Sequence, residues 1–124
     1  MDLPAFAQEH TAMIFARELA RWPELATPYL HRLAGERTAR AAVRLLGALP
    51  ELVKKGNPNA ASDAGAAALL LEAAAHAALL NVAINLGGIE DVGFTAEMRA
   101  ESQRLGEEAV RLRERVLATV RAAF

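Results

Sequence analysis

The chain has 124 residues, of which 53% are hydrophobic and 23% charged, with a formal net charge of −1 and no cysteine. That balance fits one folded domain over residues 1–124 and excludes a disordered chain, a disulfide framework and thiolate chemistry. Overall charge attracts the chain neither to nucleic acid nor to an anionic membrane, and the lack of cysteine suits the cytoplasm.

Alanine dominates and no run of alternating β-branched residues occurs, so the pattern predicts an all-α domain of about five helices around a long alanine-rich central one. The start, "MDLPAFAQEHTAMIFARELA", carries Asp2, Glu9 and His10 early and lacks the basic start of a signal peptide. Asp2 is placed to cap a first helix, with Pro4 in its first turn and Trp22-Pro23 at its end. Thr27-Pro28 is expected to open a short second helix that runs through Leu33 and stops at Gly35. A third should cover Glu36 to Leu49, kink or restart at Pro50, and end at Lys55 with Gly56 as its cap. Lys54 and Lys55 then face the negative helix end.

The fourth helix is expected to start at Ser62 as N-cap, with Asp63 in the first turn, and to run to about Leu86 before Gly87-Gly88. It is long and apolar enough to span a bilayer, but Glu72, His76, Asn81 and Asn85 interrupt it. We read it as a buried central helix with no membrane role. Thr95 is the expected cap of the fifth helix, which runs nearly to Phe124. Met98, Leu105, Ala109, Leu112, Val116 and Val120 form its apolar stripe, and Glu107–Arg111 has the supportive i,i+4 spacing.

Chemistry-bearing side chains crowd into "KKGNPNAASDAG", residues 54–65. Both lysines, two of the four asparagines, one of the two serines and one of the three aspartates lie there. Lys54 and Lys55 are either solvated helix-end charges or a clamp for an anionic ligand group. On the fourth helix, Glu72 and His76 share one face, about 40° apart, and Asn81 and Asn85 share the opposite face. Asp63 precedes Asn81 by 18 residues, five turns, so both point the same way about 27 Å apart. They serve one site only if a second subunit or an elongated ligand bridges them. Buried amides such as Asn81 and Asn85 most often hold neighbouring loop backbone, and from the residues alone that is the favoured reading. Glu72 and His76 read as a hydrogen-bonded pair, because no third metal ligand stands at a recognisable spacing and no metal is expected. His10 and His31 carry no motif. Arg37, Arg40 and Arg44 have near-helical spacing but no aromatic platform, which disfavours nucleic acid.

The stretch "GNPNAASDAGAAALLLEAAAHAALLNVAINLGGIED" resembles the cyclodeaminase/cyclohydrolase family, the helical domain of formiminotransferase-cyclodeaminase and of stand-alone methenyltetrahydrofolate cyclohydrolase-like proteins. The family's GNPxxxSDxG turn falls on Gly56-Asn57-Pro58, Ser62-Asp63 and Gly65. Its NVxIN helix end falls on Asn81-Val82 and Ile84-Asn85, followed by Ile89, Asp91 and Phe94. The resemblance implies an all-helical homodimer, a tetrahydrofolate derivative as substrate and no tightly bound cofactor. It implies closure of a one-carbon bridge between folate nitrogens with loss of ammonia, or opening of that bridge by water. Asp63 would then bind ligand or move a proton, with Asn57, Ser62, Asn81 and Asn85 as polar neighbours. The family's glycine-rich GGGS segment and the Asp-Ala-Phe of its next helix are not found in the first 50 residues. The alternative is therefore a non-catalytic helical dimer or partner-binding protein, in which Gly56, Pro58, Ser62 and Gly65 are only turn and cap residues.

Overall fold

A computed structural model describes the backbone from Pro23 and the side chains from Ala34 to Phe124. Among the described residues there are three α-helices and no strand: α1 (Pro23–Lys55), α2 (Ala61–Leu86) and α3 (Val92–Arg121). A single 3₁₀ turn, Pro58–Ala60, joins α1 to α2. The helix expected over residues 2–21, with its cap at Asp2 and its end at Trp22, lies outside the described residues.

The second and third expected helices are one. Thr27-Pro28, Gly35 and Pro50 all sit inside α1 and none of them ends it. At Gly35 the reason is tertiary. A Cβ there would stand 2.9 Å from the Ala78 carbonyl oxygen and 2.9 Å from Val82 Cγ2 of α2. The missing side chain lets the two backbones approach, which offsets the roughly 1 kcal/mol that glycine costs inside a helix. Pro50 lies near the end of α1 and is buried there. Proline withholds one N–H from the helix, yet the helix runs five residues past it to Lys55.

The remaining helix starts also differ from expectation. α2 begins one residue before Ser62, fed directly by the 3₁₀ turn, and Ala60 at its cap position makes no side-chain bond. Asp91 rather than Thr95 caps α3, its Oδ1 accepting from the Phe94 N–H at 3.0 Å. Thr95 falls in the first turn and donates its hydroxyl to the Val92 carbonyl at 3.1 Å. Glu107 accepts from Gln103 at 2.9 Å, while Arg111 stands 3.5 Å from Glu108. The expected Glu107–Arg111 pair is therefore absent among the described ion pairs.

Each helix packs on both others. Ala39 and Leu46 of α1, Ala68, Ala75 and Val82 of α2, and Ala109 and Val116 of α3 are fully covered. All six positions of the stripe expected on α3 are buried. Among the described residues no polar side chain is buried, so apolar contact holds the fold and polar contacts set its register. Arg113 of α3 grips Glu72 of α2 with two bonds, 2.7 and 3.2 Å, and Arg40 of α1 lies 2.7 Å from Glu101 of α3.

α2 is central but not fully buried, which corrects the expectation. Two neighbours cover only one side of it, and Leu70, Leu80 and Ile84 remain 71%, 66% and 74% exposed. The segment Pro58–Leu86 is long and apolar enough to cross a bilayer, and an 18-residue stretch of it has a mean hydropathy of 1.8.

Candidate active site

The crowded turn is built by three local devices. Gly56 follows α1 and donates its N–H to the Leu52 carbonyl at 2.8 Å. A Cβ at Gly56 would stand 2.6 Å from that same oxygen, so glycine alone fits this tight exit. Asn57 then caps the 3₁₀ turn, its Oδ1 accepting from the Asn59 N–H at 3.0 Å, with Pro58 as the first residue of the turn. Because that turn runs straight into α2, Asp63 falls in the first helical turn, where unpaired N–H groups favour a carboxylate.

Asn57 and Asp63 meet in one cleft of about 270 Å³. Leu49, Leu52 and Val53 of α1 and Ala64 and Ala67 of α2 wall it. An apolar cleft with a few converging polar groups is the usual form of a small-molecule site. Ser62 is exposed and does not line the cleft. Lys54 and Lys55 stand at the end of α1 with their Nζ atoms 3.9 and 3.3 Å from the Glu51 carboxylate. Both pairs are exposed, and such pairs hold weakly, so an incoming anion can recruit either ammonium.

The asparagines sit elsewhere. Asn81 is exposed and lines a second, separate cleft of about 380 Å³ with Gly35, Thr38, Ala74 and Ala78. Asn85 donates its Nδ2 to the Asn81 carbonyl at 2.8 Å, a bond within its own helix. Neither amide holds the loop that follows. That loop closes on backbone bonds from Gly87, Gly88 and Ile89 to Ile84, Asn85 and Leu86. One chain thus separates the expected site residues into an Asn57–Asp63 group and an Asn81–Asn85 group, at opposite ends of α2.

Glu72 and His76 lie together as the spacing suggested, 3.9 Å apart, but the principal partner of Glu72 is Arg113. The Glu72 hydrogen bond raises the pKa of Arg113 above its ordinary value. No cluster of three or more metal-ligating side chains occurs among the described residues. Sequence reasoning missed a groove of about 540 Å³ where His76 and Leu79 of α2 face Ser102, Gly106 and Val110 of α3. Its one signal was a glycine inside a strong helix. A Cβ at Gly106 would press on His76 Cε1 at 3.4 Å.

Residues 34–104 match the family model of formiminotransferase-cyclodeaminase. The chain belongs to that family. A methenyltetrahydrofolate cyclohydrolase of Methylorubrum extorquens is 43% identical over 75 residues, which are 60% of this chain and 36% of that protein. The chain therefore spans little more than a third of the length of the curated relative it matches. No solved structure matches it. For a member of the formiminotransferase-cyclodeaminase family, the matched segment is informative in its extent. It takes in the last two thirds of α1, the crowded turn, all of α2 and the start of α3. Both polar groups fall inside it.

Proposed function

We propose that this chain acts on a one-carbon derivative of tetrahydrofolate, as a cyclodeaminase or methenyltetrahydrofolate cyclohydrolase. The observation that carries the reading is the cleft in which Asn57 and Asp63 converge, on the turn that the family match covers. Opening a methenyl bridge needs water added at the bridging carbon with a proton taken from that water, whereas closing it from a formimino group needs the second folate nitrogen to bond to that carbon and give up its proton while the formimino nitrogen is protonated and leaves as ammonia. Asp63 is the base that takes the proton of the attacking water. Asn57 and Ser62 orient the ligand beside it, Lys54 and Lys55 attract its anionic tail, and Asn81 and Asn85 bind at the far end of α2. The working form is a cytoplasmic homodimer that uses no metal and no tightly bound cofactor.

The loss of methenyltetrahydrofolate absorbance tests this with wild-type protein, Asp63→Asn and a protein-free blank. The expected result is a protein-dependent rate that falls at least tenfold in the variant. A rate equal to the blank favours the second reading, a non-catalytic helical dimer that keeps the family fold. The uncovered outer face of α2 supports that reading, since it suits helix-on-helix association. Its ligand would then be another protein.

A further inference from the structure

Arg37 and Arg44 of α1 are exposed, and among the described residues neither has a carboxylate partner. Arg40, between them in sequence, is held by Glu36 and Glu101. Beside the two arginines runs a row of small and apolar side chains, Ala34, Thr38, Ala41 and Leu45, at steps of four, three and four residues, all exposed. Thr38 donates its hydroxyl to the Ala34 carbonyl at 2.8 Å, so its polar atom is satisfied within the helix. The row lies about 120° round α1 from the side by which Ala39, Val43 and Leu46 enter the core. Its spacing is that of a coiled-coil seam, in which Arg37 and Arg44 hold the flanking positions that set orientation.

The sequence before α1 carries the complement. In a helix over residues 2–21, Leu3, Phe6, His10 and Met13 recur at steps of three, four and three, and Asp2 and Glu9 flank that row seven residues apart. Ala7 and Ile14 stand on its other flank, about 140° round from the acids. The residue before a proline is disfavoured in a helix, so Trp22 is the turning point. Residues equally distant from that turn then lie level: Leu3 with Ala41, Phe6 with Thr38 and His10 with Ala34. In each pair a large side chain meets a small one. In the same register Glu9 falls two residues, about 3 Å, from the level of Arg37, and Asp2 falls equally close to Arg44. These two flanks face each other only between antiparallel helices. A parallel helix would set its acids against Gly35 and Ala42, which carry no charge.

We infer that residues 2–21 fold back as an antiparallel arm along the outer row of α1, fixed by ion pairs of Glu9 with Arg37 and Asp2 with Arg44. The flank of Ala7 and Ile14 turns toward α2, over the cleft that Ala34 and Thr38 share with Ala77 and Asn81. The arm thus forms the outer wall of the Asn81 cleft. It runs out before Leu45, so Leu52 and the Asn57–Asp63 cleft stay open. The docking stands on apolar pattern and charge alone and is independent of the folate reading.

Because the chain has no cysteine, introduced pairs are a clean probe. Helix axes in contact lie about 8–10 Å apart, which a short bis-maleimide spans. The double variant Glu9→Cys/Arg37→Cys should link within one chain. Glu9→Cys/Arg99→Cys, with its second site exposed on α3, should not. Charge reversal gives a second readout. Glu9→Arg should speed chymotryptic cleavage at Phe15 about threefold, and adding Arg37→Glu should restore protection, with helicity by circular dichroism unchanged in both. No intramolecular link in the first variant, or an equal link in the second, overturns the arm. So does a link formed only on mixing the single variants, which puts another copy's segment on the row. Self-linking of Ala41→Cys, which puts α1 of a second copy there, overturns it as well. Faster cleavage that Arg37→Glu fails to reverse overturns the register.

Discussion

Asp63 and Asp91 stand near the starts of consecutive helices, and only Asp91 caps. Its carboxylate is bound to the Phe94 N–H, while that of Asp63 lines the cleft with Asn57. Removing a cap of this kind costs about 1 kcal/mol. Asp91→Ala should therefore lower the free energy of unfolding in urea by about 1 kcal/mol without touching ligand binding, and Asp63→Asn should lower it by about 0.5 kcal/mol, because it removes only the favourable charge from the first turn of α2. The sequence showed that the turn was overloaded with polar side chains. It did not show which neighbour caps. Ser62 and Thr95 were reasonable choices by residue type. The chain enters α2 through a 3₁₀ turn and α3 through Asp91, so both helices start earlier than those residues suggest.

At the scale of elements, α3 was legible because its apolar residues form one stripe that its neighbours bury. α1 was not, because glycine and proline read as stops when only local propensity is weighed. The contact of Gly35 with α2 is invisible to that reasoning. Gly35→Ala gains helix propensity but drives a Cβ into the Ala78 carbonyl and Val82. Overpacking of this kind costs about 1–3 kcal/mol and outweighs the gain. We expect a net loss of about 1 kcal/mol by chemical denaturation. For α2, helical periodicity placed Asp63 and Asn81 on one side, and the long apolar run was read as a buried central helix. The second inference failed because overall apolarity does not count neighbours. Only α1 and α3 flank this helix among the described residues, and they cover one side.

Across the whole molecule, α3 is tied to α1 by charge as well as by apolar contact. Glu101 accepts hydrogen bonds from Arg104, lies against Arg40, and its carboxyl is held below the usual glutamate range, chiefly by the Arg104 bond and then by the two positive charges. A carboxyl depressed on folding stabilises above its unfolded value, about 4.3, and loses that contribution as pH falls through the folded value. Thermal stability should therefore decline below about pH 4.3, and the decline should be shallower in Glu101→Gln, measured as melting temperature against pH. High salt should narrow the difference between the two proteins.

The Arg40–Glu101 contact joins residues 61 apart in sequence, whereas Glu72–Arg113 joins residues 41 apart. Contacts between successive helices can close from the turn that joins them, but α1 can meet α3 only after α2 has folded back against one of them. The loop-closure cost of the longer contact therefore falls late, and the α1–α3 face is the last to form and the first to open. Arg40→Ala should accelerate unfolding and leave the folding rate nearly unchanged, while Gly35→Ala should slow folding itself, as read from the two arms of a stopped-flow chevron. The shortest-lived part of this fold would then be the α1–α3 seal, opening well before the turn that holds Asn57 and Asp63 comes apart.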